Sequence, residues 1–342
     1  MTTPFRIGLS PALDPSRGKL LFPSYDLAEL AADPAFDLAY YEADAPLSAS
    51  ALTGFDALVL LGERMAAESF PGDGRLKLIA RMGVGYDTVD VPACSAHDVA
   101  LTITPPAVAR PMAVATLNYL LALANNMMVK DRLTRRGPDG WAARTDHHGI
   151  GLIGRTFAMV GLGNIGRETL KLIRPLDMRV IVCDPALDAG DAEALGVTRV
   201  DLETVFREGD FVSLHCPLTD GTRHLVNAER LALMKPTAYL INTARGPVVD
   251  QAALYAALAS RQIAGAGLDV LDPEPSAADE PIHTLDNVVL APHALGWTDQ
   301  MFAEMARINM AAIRRVAAGQ TPEFTVNPDV LSAPGFLAKI KR

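Results

Sequence analysis

The chain has 342 residues, 49% hydrophobic and 21% charged, which suits two domains of about 150 residues each and excludes disorder as the default state. A net charge of −9 without any Lys/Arg cluster argues against a nucleic-acid partner, because such affinity rests on neutralising phosphate charge. The three cysteines, Cys94, Cys183 and Cys216, have no CxxC spacing, so neither a disulfide framework nor a metal site is expected, and a reducing compartment fits.

Residues 1–10 lack a basic segment followed by an apolar stretch. No uninterrupted apolar run approaches the ~18 residues of a membrane span, so a cytoplasmic protein without a membrane partner is expected. Strands are predicted at 6–9, 57–61, 76–81 and 100–103, without a glycine fingerprint among them. After Thr104-Pro105-Pro106 a helix rich in Ala, Leu and Met is predicted over 108–136. It reads as a connector, and Met127-Met128 read as packing residues rather than ligands.

A polar Gly/Pro stretch, 137–151, leads to six more predicted strands at 157–161, 180–183, 211–215, 238–242, 264–270 and 288–291. Short apolar runs alternating with helical patterns indicate α/β architecture with parallel sheets, the second being a dinucleotide-binding sheet. A last helix over 299–318 is expected to return to the first domain.

The strongest local signal is Phe157-Ala-Met-Val-Gly161-Leu-Gly163-Asn-Ile-Gly166, an apolar strand running into Gly-x-Gly-x-x-Gly and then a helical stretch. In such a motif the first glycine makes the tight turn, the second admits the pyrophosphate, and the third permits close helix packing. Asp184 ends the next apolar strand about twenty residues downstream, where a carboxylate binds the ribose hydroxyls and repels a 2′-phosphate. The expected cofactor is NAD.

Three later segments each place an ionisable residue just beyond a strand: Arg245 in Asn242-Thr-Ala-Arg-Gly, Glu274 in Asp269-Val-Leu-Asp-Pro-Glu-Pro, and His293 in Ala291-Pro-His. Oxidising a 2-hydroxy acid requires a base for the hydroxyl proton, and the reverse reaction requires an acid. Histidine, with an ordinary pKa of about 6.5, serves both directions. Glu274 is the candidate to orient the imidazole, and the Arg245 fork matches a substrate carboxylate and its carbonyl. Asp269 is a candidate to hold the nicotinamide carboxamide or tune the site.

These residues resemble the D-isomer-specific 2-hydroxyacid dehydrogenase family, which includes phosphoglycerate, glyoxylate/hydroxypyruvate and D-lactate enzymes. The resemblance spans about 76–297. It rests on Arg81-Met-Gly-Val-Gly-Tyr-Asp-Thr-Val-Asp90, the Gly161 fingerprint, His215-Cys-Pro-Leu-Thr219, Leu240 to Asp250, Gly267-Leu-Asp-Val270, Glu274-Pro275 and Pro292-His293. It implies a Rossmann NAD-binding domain (108–297) inserted into a flavodoxin-like substrate domain (1–107 with 298–342), both doubly wound. The active site would lie in the cleft, with a homodimer formed through the nucleotide domains.

The resemblance also implies a small 2-hydroxy or 2-oxo acid substrate bound by Arg245, His293 and the amides of Val84 and Gly85. It carries Asn164 and Ile165 to the pyrophosphate, Cys216, Pro217 and Thr222 to the adenosine, and Thr243, Ala244 and Asp269 to the nicotinamide side. Two other readings share the framework: an NAD(H)-sensing scaffold of the corepressor kind, which retains the triad, and a phosphite dehydrogenase. A formate enzyme is disfavoured by Glu274, where those enzymes carry Gln.

The chain departs from the family pattern at Val108-Ala-Arg110-Pro111, where many members have Val-Ala-Glu-His, and at Trp297, where a small residue is common. Arg110 reads either as a solvated or ion-paired helix-start residue or as a ligand for a second acidic group. Trp297 reads either as a wall of the substrate pocket or as interdomain packing. Trp141 and His147-His148 lie in a loop that reaches toward a partner subunit in some relatives. Adjacent histidines in a polar loop are read as solvated, not metal-bound.

Overall fold

Short apolar runs separated by helices produce two all-parallel sheets. The computed structural model describes residues 3–17 and 22–341, and the chain divides into two units, Met1–Val108 with Trp297–Arg342, and Ala109–Gly296.

In the first unit the strands are β1 Phe5–Leu9, β2 Phe36–Tyr40, β3 Ala57–Leu60, β4 Leu78–Arg81 and β5 Ala100–Thr102, ordered β2-β1-β3-β4-β5. This is the flavodoxin-like order. All four residues of β3 are buried, as expected for a parallel strand covered on both faces. Among the described residues five strands replace the four expected. The additional β2 is an edge strand with only partial burial, and Asp37 interrupts its apolar pattern. The C-terminal segment completes this unit. Helix Asp299–Ala317 packs on β4, and the buried Asn309 Nδ2 donates to the Tyr25 hydroxyl at 2.8 Å.

The second unit holds β6 Thr156–Val160, β7 Arg179–Cys183, β8 Thr198–Arg199, β9 Phe211–Leu214, β10 Tyr239–Asn242, β11 Gly265–Leu268 and β12 Val288–Leu290. Their order, β12-β11-β10-β9-β6-β7-β8, is the dinucleotide-binding order 3-2-1-4-5-6 extended by one strand. Seven strands replace the six expected; β8 has two exposed residues and so no readable period. Alternation along β6 sends Ala158 and Val160 into one apolar cluster and Phe157 and Met159 into another, filling both faces.

The helix expected over 108–136 is two helices, Pro105–Ala124 and Met127–Arg135. The break falls at Asn126, with φ +51°, a left-handed conformation that asparagine tolerates better than most residues. By length and composition Pro105–Ala124, at a mean hydropathy of 1.4, is long and apolar enough to cross a membrane, although Arg110 interrupts its apolar run. Half of that window is buried, and Tyr119, Leu120, Leu123 and Ala124 pack with Phe157, Phe211 and Ile241 in the core of the second unit. The stretch expected to be a polar loop contains the short helix Pro138–Ala142 and a 3-10 turn at Ala143–Asp146.

Candidate active site

In the second unit, β6 and β9 are adjacent and end level, Val160 opposite Leu214. The chain leaves them in different directions, which makes the crevice where open sheets bind nucleotides. Gly161 turns at φ +95°, and a Cβ there would stand 2.9 Å from the His215 carbonyl carbon. A Cβ on Gly166 would stand 2.9 Å from Gly161 O, whereas one on Gly163 would meet nothing within 4 Å. Two glycines are therefore demanded by the fold itself, while the third faces open space, as a backbone approached by a pyrophosphate requires.

Helix Asn164–Ile173 follows, with no side-chain cap and no acidic residue in its first turn. Its first amides, including those of Asn164 and Ile165, are thus offered to an anion. Asp184 accepts from Leu162 N at 2.6 Å through Oδ2 and from Ala186 N at 2.8 Å through Oδ1. These bonds orient the carboxylate and tie it to the fingerprint loop, and each oxygen retains lone-pair capacity for a ribose hydroxyl. The residues fit NAD.

Across the crevice, Thr222 Oγ1 donates to Pro217 O at 2.6 Å and accepts from Thr219 N at 2.8 Å, closing the turn that follows Cys216. Burial pushes the Cys216 thiol up to about 11, so it is a neutral apolar contact. Sequence reasoning assigned no role to His215. Its Nε2 lies 3.0 Å from Ser213 Oγ, its Nδ1 is buried without a partner among the described residues, and burial lowers its pKa to about 4, leaving a neutral imidazole beneath the fingerprint turn.

At the end of β10, Asn242 is the organising residue. Its Oδ1 accepts from Ala244 N at 3.0 Å and its Nδ2 donates to Arg245 O at 2.9 Å, so one buried amide shapes the turn presenting Arg245. The Arg245 Nη1 donates to Ala244 O at 2.8 Å. Gly246 is obligatory, since a Cβ there would lie 1.8 Å from Leu271 O. Thr243 Oγ1 lies 3.2 Å from Thr116 Oγ1 on the long helix. Asn242 was legible only as a polar residue ending an apolar strand, and Thr116 had no signal.

His293 Nδ1 and Glu274 Oε2 are 3.0 Å apart, bringing together two residues separated by eighteen others. Glu274 Oε1 accepts from Leu271 N at 3.2 Å, which fixes the carboxylate. With Nδ1 facing an acceptor, the proton of a neutral imidazole sits on Nδ1, and Nε2 carries the exchangeable site. His293 has φ +54°, uncommon for a residue with a Cβ. Its amide donates to Asp269 O at 2.7 Å, and the Asp269 carboxylate accepts from Ala294 N and Leu295 N at 3.0 and 3.1 Å. Asp269 is almost fully buried, so the structure gives it a task the sequence did not disclose: holding the loop that aims His293.

Val84 and Gly85 lie in the first unit, in the turn after β4 that Thr104 secures through Gly83 N at 3.1 Å. Arg110 forms an ion pair with Glu168 at 3.4 Å, the ion-paired alternative. Trp297 is half exposed and packs edge-on against Phe22 and Phe302, ring centres 5.2 and 5.5 Å away, all within the first unit. Trp141 is exposed under the Arg144 guanidinium, 4.2 Å from the ring centre.

A seven-stranded dinucleotide sheet with a glycine cradle, an aspartate tied to the fingerprint loop and a His–Glu pair at its carboxyl edge defines an NAD-dependent oxidoreductase. Residues 117–294 match the family model described as D-isomer specific 2-hydroxyacid dehydrogenase, NAD binding domain. The chain is 38% identical over 314 residues to a glyoxylate reductase of Korarchaeum cryptofilum, covering 88% of this chain and 93% of that protein. It is 36% identical over 274 residues to a D-3-phosphoglycerate dehydrogenase of Methanocaldococcus jannaschii, covering 80% of this chain and 52% of that one. The holo form of Rhodotorula graminis D-mandelate dehydrogenase superposes with a TM-score of 0.81 at 26% identity, over 95% of this chain and 98% of that one. The chain belongs to the D-isomer-specific 2-hydroxyacid dehydrogenase family and is an NAD-dependent 2-hydroxyacid dehydrogenase.

Proposed function

We propose that the protein interconverts a small 2-oxo acid and its 2-hydroxy acid, with His293 as general acid/base, Glu274 as its orienting partner and Arg245 as ligand of the substrate carboxylate and carbonyl. The observation carrying this reading is the 3.0 Å contact between His293 Nδ1 and Glu274. NAD(H) supplies the hydride donor or acceptor. In the reductive direction His293 Nε2 gives a proton to the carbonyl oxygen, and Glu274 stabilises the imidazole in both charge states from the other side of the ring. Arg245 draws electron density onto that oxygen and holds the adjacent carboxylate with a planar fork.

The substrate class we favour is that of glyoxylate, the acid named for relatives that this chain matches over most of their length. We also propose a homodimer, because Val114, Leu121, Met127, Met128, Trp141 and Ile153 of the second unit are large apolar residues left exposed, an arrangement common at interfaces. The absence of paired cysteines among the described residues supports a cytoplasmic location. The test is NADH consumption with glyoxylate, hydroxypyruvate, pyruvate, phenylpyruvate and phosphite-free controls, with NADPH alongside. Turnover of a 2-oxo acid, fastest with NADH, is expected; NADH binding without turnover of any acid would sink the proposal.

A further inference from the structure

The second unit has another concave site, at the opposite edge of its sheet. Tyr239 opens β10, Ala264 precedes β11 and Asn287 precedes β12, and all three line a cavity of about 490 Å³. Arg245, Asp269 and His293 follow the other ends of the same three strands. At about 3.3 Å per residue the four residues of β10 alone set the two edges roughly 10 Å apart. The cavity is therefore no part of the NAD or substrate site.

Its lining carries Arg132, Arg136 and Arg261 against the single carboxylate of Asp286. Arg261 is bonded to that carboxylate, and Arg132 Nη2 reaches only the Asp286 carbonyl oxygen, at 3.5 Å. Among the described residues the Arg136 guanidinium and the Tyr239 hydroxyl have no side-chain partner. The Tyr239 ring is fixed by stacking on Phe211, centres 5.3 Å apart, and burial raises its pKa, so the hydroxyl is a held, protonated donor. Leu133, Val129 and Val289 supply apolar wall.

Guanidinium groups that converge on one concavity raise its positive potential and attract an anion. In a chain of net charge −9 this cationic concentration is local. The volume lies within the ~300–1,000 Å³ of small-molecule sites, and guanidinium forks match carboxylate or phosphate oxygens. We propose that this cavity binds a small organic dianion with an apolar stem, its charged end on Arg132 and Arg136 and its stem between Leu133 and Tyr239. A phosphate monoester and a dicarboxylate share that chemistry.

The test is calorimetric titration of phenyl phosphate and of glutarate into the NADH-saturated full chain. One site per chain is expected, weakened at least tenfold in Arg132→Ala/Arg136→Ala and in Arg136→Glu alone, and retained in Arg245→Ala. Without dianion, the cavity variants should keep kcat and KM for the 2-oxo acid within about twofold. Tighter phenyl phosphate binding assigns the phosphate source, and tighter glutarate binding the dicarboxylate. Met128 belongs both to the cavity lining and to the exposed apolar face, so sedimentation is run on the same variants. Binding lost in Arg245→Ala but kept in the cavity variants would place the anion in the active site and overturn the proposal. No heat with either probe would overturn it, as would a dimer-to-monomer shift in the cavity variants with no dianion bound.

Discussion

The amino edges of the two sheets are built alike, and their carboxyl edges are not. In the first unit Asp56, just before β3, accepts from Arg6 N of β1 at 2.8 Å and pairs with Lys77 at 2.7 Å. In the second unit Asp210, just before β9, accepts from Thr156 N of β6 at 2.7 Å and pairs with Lys235 at 2.9 Å. Each aspartate thus ties two neighbouring strands and a following lysine at the point where a parallel sheet starts. At the other edge only the second unit has the glycine fingerprint, the Asn242 turn and the Asp269-anchored histidine loop. A shared scaffold leaves function to its carboxyl-edge loops.

The largest effect that sharpens this contrast is predicted for His293→Ala. Turnover should fall by roughly 10²–10⁴-fold, the usual contribution of a positioned proton donor, while the NADH Kd stays within about twofold and thermal stability is unchanged. Steady-state kinetics alongside NADH fluorescence titration checks this; near-normal kcat would remove His293 from its role.

The amino-edge parallel is tested by Asp56→Asn and Asp210→Asn, each expected to cost roughly 2–3 kcal/mol in urea unfolding because a mostly buried charge pair is broken. Burial alone would raise both carboxyls, but hydrogen bonds from Arg75 and Lys77 to Asp56, and from Thr156 N and Lys235 to Asp210, outweigh it and leave both pKa values lowered. Their contribution is therefore present above the ordinary carboxylate range and is lost as pH falls through the lower folded values. The Asn variants should flatten that acid limb equally. A large loss in one unit and none in the other would break the parallel.

Within the fingerprint, Gly163→Ala should leave folding stability within about 0.5 kcal/mol yet weaken NADH tenfold or more, since its Cβ enters open space the pyrophosphate requires. Gly161→Ala, at φ +95°, should lose stability by roughly 1–3 kcal/mol. Equal behaviour of the two would contradict the cradle.

The last effect, visible only below neutral pH, concerns His215. With its pKa lowered to about 4 by burial, against about 6.5 in the unfolded chain, the unfolded state binds more protons between those values. Stability should then fall on acidification through that window by up to about 1.4 kcal/mol per pH unit. His215→Asn should reduce the slope in urea midpoints measured at successive pH values, and an unchanged slope would assign it elsewhere.

Legibility in the sequence followed pattern length. The strands around Phe157, Phe211 and Leu240 were readable because apolar runs end at glycine or polar residues, whereas Asp37 within β2 and the two-residue β8 leave no period to detect. Glu274 and His293 could be paired from chemistry before their distance was known. The task of Asp269 could not, because accepting the Ala294 and Leu295 amides depends on how the chain returns over β11. The ion pair of Arg110 and the aromatic neighbours of Trp297 were undecided for the same reason: each partner, Glu168 or Phe22, is distant in sequence.

The Asn309–Tyr25 bond and the Asn327 side chain, which accepts from Leu101 N at 3.0 Å and donates to Val99 O at 3.0 Å, have a consequence for synthesis on the ribosome. Every strand of the first sheet has been translated by residue 102, yet that unit lacks its covering helix until residues 297–342 emerge. The second unit is complete by residue 296. Domains generally fold as units during synthesis, so the part of the chain made first is the part that finishes last, and its uncovered apolar strands are what a holding chaperone would meet.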